Sequence, residues 1–435
     1  MSRVNPRVLK GFRDYLPDTM APRQAMLNTV AEVFSQFGFG PLATPALEYT
    51  EILLGKYGTE GDKLLYRFED NGGRDVSLRY DLTVPLARVV GQHTTLPTPF
   101  KRYQIAPVWR AEKPGRGRFR EFLQCDVDIV GSTSLLADFE CMQVGIAALK
   151  ALGVEKFELR VNDRRVLDGL MARLGVESPE MRIEVLRVVD KLPKVGWDGV
   201  TRELSEKISF SEEQLSALHT FLHASLEDIG SSVVDMEVAQ PGIDALNTLL
   251  GWASDLGIGD YIAVDLSIAR GLDYYTSTIY ETFLTDMPDL GSVMSGGRYD
   301  DLLSLFSKNP QPAVGISLGV DRLLAGLLEM GLLTAEMPSP DVFVTIFNDD
   351  VCGYAQAVAA DLRAAGLSAL LHLNPGQKMG KQFKQADRCG AAFVVIAGPD
   401  EVSSGQVRLK NLATGEQVTV ARLGAPTQIR EWQNA

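Results

Sequence analysis

Two long runs of strand-forming residues, Phe100 to Arg110 and Phe119 to Val130, stand either side of a short basic stretch that contains Gly115 and Gly117. Runs of that length with so short a connection fold back on one another as an antiparallel hairpin with a loop at its tip. In the second run, REFLQCDVDIVG from Arg120, side chains alternate across the pleat. Phe122, Gln124, Asp126 and Asp128 therefore share one face, and Leu123, Cys125, Val127 and Ile129 share the other. The apolar face packs against a core. An aromatic, an amide and two carboxylates are costly to bury without partners. They suit a solvated sheet face, or a cleft that takes something polar and cationic.

On the first run Arg102, Gln104 and Arg110 share a face, and the connection adds Lys113, Arg116, Arg118 and Arg120. The planar fork of arginine suits phosphate oxygens, so converging arginines suit a polyphosphate or an RNA end as well as a solvated loop. Around this local basic region the chain is acidic, with a formal net charge of −13. That balance argues against a protein that coats nucleic acid by bulk electrostatics and leaves room for a local basic groove.

A chain of 435 residues exceeds one ordinary core, and two or three domains are expected. Met26, Val30, Val33, Phe34 and Phe37 recur at helical spacing before Gly38. An extended stretch with Pro41 and Pro45 follows. From about residue 168 to 250 the pattern changes to short amphipathic helices, which read as an insertion into one larger domain of residues 1–330. Strand signals resume at Tyr261 and run to Phe283. Residues 331–340, with LLTAEMPSP, have two prolines and little periodicity and read as a linker. Over 341–435, DVFVTIF, SALLHL and AAFVVIAG alternate with helical runs as βαβαβ, which predicts a small α/β domain with a largely parallel sheet.

Three further segments carry chemistry. ARGLDYYTSTIYETF sets Arg270 and Gly271 before Tyr274 and Tyr275 at the start of a strand, a cation beside flat walls with hydroxyl handles. SGGRYDDLL has paired glycines, Gly296 and Gly297, that form a turn or let backbone approach a ligand. AVGISLGVDRLLAGLL reads as a buried strand, a glycine turn and an amphipathic helix with Asp321 and Arg322 in its first turn. There Asp321 caps the helix, or the helix N-terminus and Arg322 favour an anion. Lys378, Lys381, Lys384 and Arg388 fall near one helical face, either a solvated stripe or a contact for RNA phosphates.

The four cysteines are scattered without a CxxC pair, so neither a zinc ribbon nor a disulfide framework is indicated. His219 and His223 have the spacing of a helical metal pair but lack a third ligand, and no metal site is expected. The opening MSRVNPRVLKGF is followed by no apolar run, and no stretch approaches the ~18 to 20 apolar residues of a membrane span. A cytoplasmic protein with no membrane partner is expected.

In this order the segments resemble the class II aminoacyl-tRNA synthetases, and specifically the histidyl-tRNA synthetase family. KGFRDYLP and TPALEYTE resemble its N-terminal segment and dimer motif. WRAEKPGRGRFREF resembles motif 2 and GVDR motif 3; RGLDYYT and SGGRYDDL resemble the two histidine-specific signatures. The amino-group motif here is Asp-Leu-Thr, where many bacterial members have Glu-Gly-Thr.

The resemblance implies a catalytic domain with an antiparallel sheet flanked by helices, a helical insertion, and a C-terminal α/β anticodon-binding domain, assembled as a homodimer. It implies ATP-dependent ligation of L-histidine to tRNA(His) through a histidyl-adenylate, with Mg²⁺ accompanying ATP. For ATP it implies Arg110 on the α-phosphate, Glu112 on the adenine edge, Phe122 stacked on adenine opposite Arg322, and Arg118 with Arg322 at the γ-phosphate. For histidine it implies Asp81, Thr83 and Gln124 on the amino group and Asp128 with Tyr275 on the imidazole, with Tyr274 lining that pocket. Arg270 would contact the carboxylate and the α-phosphate, which makes it catalytic with Arg110. Arg116 and the stripe Lys378, Lys381, Lys384 and Arg388 would face tRNA. The alternative is a non-catalytic, synthetase-like regulatory subunit that binds histidine; such paralogues typically lack the C-terminal domain and the ATP-binding arginines.

Overall fold

The computed structural model describes residues 4–55, 61–230, 233–269, 274–307, 311–335 and 337–434, with the side chains of 193 and 194 excepted. The chain separates into two compact units, Met1–Asp14 with Arg23–Thr334, and Tyr15–Pro22 with Ala335–Ala435.

In the first unit the strands are β1 (Gly40–Pro41), β2 (Leu47–Tyr49), β3 (Arg67–Glu69), β4 (Asp75–Leu78), β5 (Phe100–Trp109) and β6 (Glu121–Val130). They continue with β7 (Phe157–Asp163), β8 (Ile262–Val264), β9 (Thr278–Leu284), β10 (Met294–Arg298) and β11 (Ala313–Gly319). Eight form one sheet in the order β1-β5-β6-β11-β10-β9-β7-β8, and β2-β4-β3 form a small antiparallel sheet. The six central strands pair antiparallel, as expected. Both edges differ, because β1 runs parallel to β5 and β8 runs parallel to β7. The cause is connectivity: parallel neighbours need a long crossover rather than a hairpin.

The crossover from β7 to β8 is the helical insertion itself. Its helices include Arg164–Arg173, Pro179–Val189, Glu212–Leu222 and Met236–Asp255, which start on the capping side chains Asp163, Ser178, Ser211 and Asp235. Each cap gives an oxygen to backbone N–H groups left without a helical partner. The apolar face of β6 lies in the core, with Cys125 and Val127 sealed from solvent. The helix Leu135–Ala151 carries Cys141, Met142 and Leu149 into the same interior.

In the second unit β12 (Val342–Val344), β13 (Ala369–Leu371), β14 (Phe393–Ile396), β15 (Gln406–Asn411) and β16 (Gln417–Ala421) form a sheet in the order β13-β12-β14-β15-β16. The three strands expected from the βαβαβ pattern are parallel, and an antiparallel hairpin, β15 and β16, extends the sheet beyond them. Val407 and Leu409 bury one face of that hairpin while Arg408 and Lys410 alternate outward.

Candidate active site

The antiparallel register decides which side chains meet on the polar face of β6. Arg102, Gln104 and Ala106 of β5 lie opposite Asp128, Asp126 and Gln124. On the other side Gly315, Ser317 and Gly319 of β11 lie opposite the same three residues. A cleft of ≈ 1180 Å³ opens over this face, with Arg110, Arg118 and Arg322 among its lining residues and Asp81, Asp126 and Asp128 also lining it. One cleft thus combines a cationic region with an acidic floor.

In the cationic region the Arg110 guanidinium stands 4.2 Å over the Tyr80 ring and 5.1 Å from the centre of the Phe122 ring, and its Nε donates to the Tyr80 carbonyl at 3.1 Å. Glu112 lies 4.0 Å from Arg110 and 3.9 Å from Arg118, close enough to orient both without closing a short ion pair. Arg322 enters from the first turn of the helix Val320–Glu329 and donates to the Ser292 carbonyl. The loop tip packs directly on it: a Cβ at Gly117, which has φ +63°, would come within 3.2 Å of the Arg322 Cα. The left-handed conformation favours glycine there, and the space for a side chain is tight.

Asp321 takes a different role from the cap expected of it. Its carboxylate is buried and accepts from Arg13 at 3.1 Å, from Arg23 at 3.2 Å and from the backbone N–H of Leu123 at 3.0 Å. It is not a helix cap, the helix starting at Gly319 without a side-chain cap. It ties the N-terminal segment to the strand between Phe122 and Gln124. Arg13 also stands 3.9 Å over the Phe119 ring, and the Gly11 carbonyl accepts from Arg120 N at 2.8 Å, so KGFRD straps the hairpin loop. The arginine in that motif was the available signal; its partner Asp321 lies about 300 residues away and no local pattern names it.

At the acidic floor, Asp81 accepts from Val84 N at 3.1 Å and so anchors the start of the helix Thr83–Gln92, which also places Thr83 at the cleft. Gln124 donates to Ser317 Oγ at 2.9 Å, leaving its Oε1 without a hydrogen bond among the described residues. Asp128 Oδ2 lies 2.7 Å from Arg102 Nη2, and its Oδ1 accepts from the Tyr299 hydroxyl. Arg102 therefore serves the acidic floor, not the polyphosphate side where the sequence grouped it with Arg110.

Burial pushes the Asp126 carboxyl up to about 7; Asp128 and Asp81 add to the rise, while Arg102 and Ser317 oppose it. Burial raises Asp128 as well, against Arg102 and Tyr299. The Tyr299 hydroxyl is raised well above its ordinary value, first by burial and then by Asp128.

Tyr274 and Tyr275 wall the same region, their rings 4.9 Å apart, with Tyr274 edge-on to Tyr299 at 5.9 Å. Both precede β9 instead of starting it. The paired glycines sit within β10 and form no turn. A Cβ on Gly296 would meet the Gly315 carbonyl at 2.1 Å, and one on Gly297 the Thr278 carbonyl at 2.4 Å and Tyr275 at 2.9 Å. They make room for neighbouring protein, which lets Tyr275 close against the sheet. Gly315 is equally constrained, since a Cβ there would lie 2.1 Å from Asp128 Oδ1. Arg270 and Gly271 lie outside the described residues.

Arg116 is exposed on the loop and paired with Glu329. In the second unit, Lys378, Lys381, Lys384 and Arg388 are all exposed along the helix Met379–Arg388, whose buried side carries Gln382 and Ala386. His219 and His223 stack at 4.2 Å beside Trp197. Among the described residues no group of three or more His, Cys, Asp or Glu is placed to hold a metal ion, and no helix is long and apolar enough to cross a membrane.

Comparison with known proteins matches residues 11–323 to the family model "Histidyl-tRNA synthetase" and residues 341–432 to "Anticodon binding domain". The chain belongs to the histidyl-tRNA synthetase family. Among relatives of this synthetase, the histidine–tRNA ligase of Rhodopirellula baltica is 46% identical over 426 residues, 96% of each chain. That of Wolinella succinogenes is 42% identical over 98% of each. The crystal structure of histidyl-tRNA synthetase from Nostoc sp. PCC 7120 superposes with a TM-score of 0.81 at 34% identity, covering 99% of this chain and all of that one. The class II catalytic fold with an appended anticodon-binding domain, expected from the motifs, is the fold of this synthetase family.

Proposed function

We propose that the chain activates L-histidine with ATP and transfers it to tRNA(His). The observation that carries this reading is the single cleft over β6, where three arginines and Phe122 stand at one region and three buried carboxylates form the floor of another. A nucleoside triphosphate and a cationic amino acid satisfy the two regions together.

Arg110, Arg118 and Arg322 would hold the phosphates, with adenine on Phe122 and its edge at Glu112. Asp81, Thr83 and Gln124 would take the substrate ammonium, the unpaired Gln124 Oε1 being a ready acceptor. Asp128, Tyr274 and Tyr275 would bound the ring pocket. Arg270 keeps the role that resemblance implies, on the substrate carboxylate and the α-phosphate.

The histidine carboxylate attacks the α-phosphorus in line; a P–O bond forms as the bond to the β-phosphate bridge breaks, and pyrophosphate leaves. No general base is needed, because a carboxylate is already ionised at pH 7. The barrier is that of bringing two anions together, which positioned guanidiniums lower by fixing geometry and offsetting charge. A ribose hydroxyl at the tRNA 3′ end then attacks the acyl carbon and AMP leaves.

The residues present fit Mg²⁺ only as an ion carried on the triphosphate, since Glu112 and Glu281 line the cleft and no protein cage of carboxylates accompanies them among the described residues. When bound, it would supply charge neutralisation of the phosphates. A homodimer in the cytoplasm, with Arg116 and the stripe Lys378, Lys381, Lys384 and Arg388 against tRNA, completes the reading.

The test is ATP–pyrophosphate exchange with the purified protein, each standard amino acid offered separately with Mg²⁺ and no tRNA. Exchange with histidine alone is the expected result. Histidine binding without exchange would replace this reading by a regulatory subunit, and exchange with a different amino acid would reassign the specificity.

A further inference from the structure

We infer that Arg298, paired with Asp138 behind the sheet, is a positioning residue for the imidazole pocket: it touches no ligand, and it fixes where Tyr299 and the wall of Tyr274 and Tyr275 stand against Asp128. The inference rests on the proposed histidine specificity and names the device that holds its pocket in shape.

Alternation along β10 sends Arg298 away from the cleft. Ser295 and Tyr299 line the cleft, whereas the Arg298 side chain leaves from the opposite face of the sheet. There every guanidinium nitrogen is engaged within the protein. Nε donates to Asp138 Oδ1 at 3.1 Å and Oδ2 at 3.2 Å, and Nη1 donates to the Ser132 carbonyl at 2.8 Å and to Asp300 at 3.2 Å. Nη2 donates to the Ser134 carbonyl at 3.2 Å and to Asp138. Asp138 is sealed from solvent and also accepts from the Thr278 hydroxyl of β9. An arginine whose five N–H groups are occupied in this way has none left for a substrate carboxylate or phosphate, although it stands in one of the two signature segments.

The acceptors lie on the chain that leaves β6. Ser132, Ser134 and Asp138 follow Val130 into the helix Leu135–Ala151, so the guanidinium clamps the end of β6 to the end of β10. On the cleft side of the same two strand ends, Asp128 accepts from the Tyr299 hydroxyl. The Arg298 backbone extends the clamp to the other tyrosines: its carbonyl accepts from Thr276 N at 2.8 Å, and Asp300 N donates to Thr276 Oγ1 at 3.3 Å. Thr276 follows Tyr275, whose ring packs against Gly297. One residue thus joins the three segments that bring Asp128, Tyr275 and Tyr299 together. The ATP side is remote from it. Arg298 lies opposite Val314, whereas Met294, ~14 Å earlier on β10, lies opposite Leu318, beside the start of the helix that carries Arg322.

The experiment measures ATP–pyrophosphate exchange on the full-length protein as wild type, Arg298→Lys, Asp138→Asn, the double variant and Thr276→Val. Histidine and ATP are each varied, and β-(2-thiazolyl)alanine, which has no ring N–H, is measured as substrate or as competitive inhibitor. Arg298→Lys keeps the charge and loses the planar fork. It is expected to lower histidine kcat/KM by up to about 100-fold, the scale of a ~1 Å misplacement, through a raised histidine KM and with the ATP KM unchanged. The preference for histidine over the analogue should shrink, because a displaced Asp128 and tyrosine wall read the ring less well. The double variant should lose no more than the worse single one, since the pair acts as a unit. Thr276→Val keeps the clamp and cuts one of its links to the tyrosines. It should move histidine KM and the preference in the same direction by less, and it serves if the clamp variants do not fold.

A lower kcat with both KM values and the preference unchanged would overturn the inference, because a merely structural clamp alters the fraction of folded enzyme and not its selectivity. A rise in the ATP KM equal to that in the histidine KM would overturn it too, by making the clamp serve the whole fold. Wild-type behaviour in Arg298→Lys and Thr276→Val would show that the pocket keeps its shape without the clamp. Wild-type protein that exchanges with no amino acid removes the functional reading and the inference with it, a result distinct from the others.

Discussion

Arg102 and Asp128 face each other across β5 and β6, 2.7 Å apart and closed off from solvent. The register that pairs them also sets Gln104 opposite Asp126, so these two carboxylates of the floor are placed by strand pairing, while Asp81 comes from the stretch before the helix Thr83–Gln92. A buried ion pair is weak evidence of net stability, but removing one member leaves the other charged and unpaired at a cost of about 3 to 5 kcal/mol. Arg102→Ala should therefore lower unfolding stability by about that amount, measured by urea denaturation, and should raise the histidine KM. A stability within about 1 kcal/mol of wild type would show that the pair is not what holds the floor.

Asp126 makes stability depend on pH. Its folded pKa of about 7 lies above the ~3.9 of an unfolded aspartate, so the folded state binds the proton more tightly. The stability this group contributes is fully present below pH ~3.9 and is lost as pH rises through about 7. The comparison is the stability of wild type against Asp126→Asn, measured by urea denaturation between pH 5 and 8. The wild type should lose stability relative to the variant as pH rises through about 7; a constant difference would remove Asp126 from the titration.

Gly315→Ala tests how tightly this floor is packed. A Cβ 2.1 Å from Asp128 Oδ1 forces the carboxylate or β11 to move. Overpacking of this kind costs about 1 to 3 kcal/mol. Thermal unfolding should register that loss and pyrophosphate exchange should fall with it, whereas a variant with wild-type melting and KM would mean the strands have slack there.

The polar face of β6 was legible because alternation is local: REFLQCDVDIVG declares its own two sides. What those side chains meet was not, since Arg102 with Asp128 depends on hairpin register and Tyr299 arrives from the end of β10. The parallel edges escaped for the same reason, being consequences of long crossovers. The β15 and β16 hairpin is different. Val407, Leu409, Val418 and Val420 alternate with polar residues across a turn ending at Gly415, so its signal was present and simply lay beyond the βαβαβ pattern. Asp321 shows the limit of reading a helix start in isolation: a first-turn acid suggests a cap, and only the fold reveals two arginines and a strand N–H around it.

The strap formed by Lys10 to Arg13 should act on ATP and spare histidine. Arg13 touches Phe119 and Asp321, the sequence neighbours of Arg118 and Arg322 in the cationic region. Arg23 also holds Asp321, so that carboxylate is not abandoned when Arg13 is replaced. A partly exposed cation–π pair is worth about 0.5 to 1 kcal/mol. Arg13→Ala should thus raise the ATP KM roughly two- to fivefold, with the histidine KM unchanged. An equal rise in both would place the strap's effect in the whole fold.

The basic stripe gives the cleanest separation of the two half-reactions. Lys381 and Lys384 are exposed in the second unit, while the residues proposed for the amino acid and ATP all belong to the first. Lys381→Glu with Lys384→Glu should leave pyrophosphate exchange untouched and raise the tRNA KM in aminoacylation. Each phosphate that a lysine no longer neutralises also makes the dependence of log affinity on log salt shallower by about 0.7 to 0.9. The double variant should therefore bind tRNA(His) with a slope about 1.4 to 1.8 units shallower if both lysines meet phosphates, measured by filter binding from low to physiological salt. An unchanged slope with unchanged KM would make the stripe a solvated helix face and put the tRNA-binding surface elsewhere on the chain.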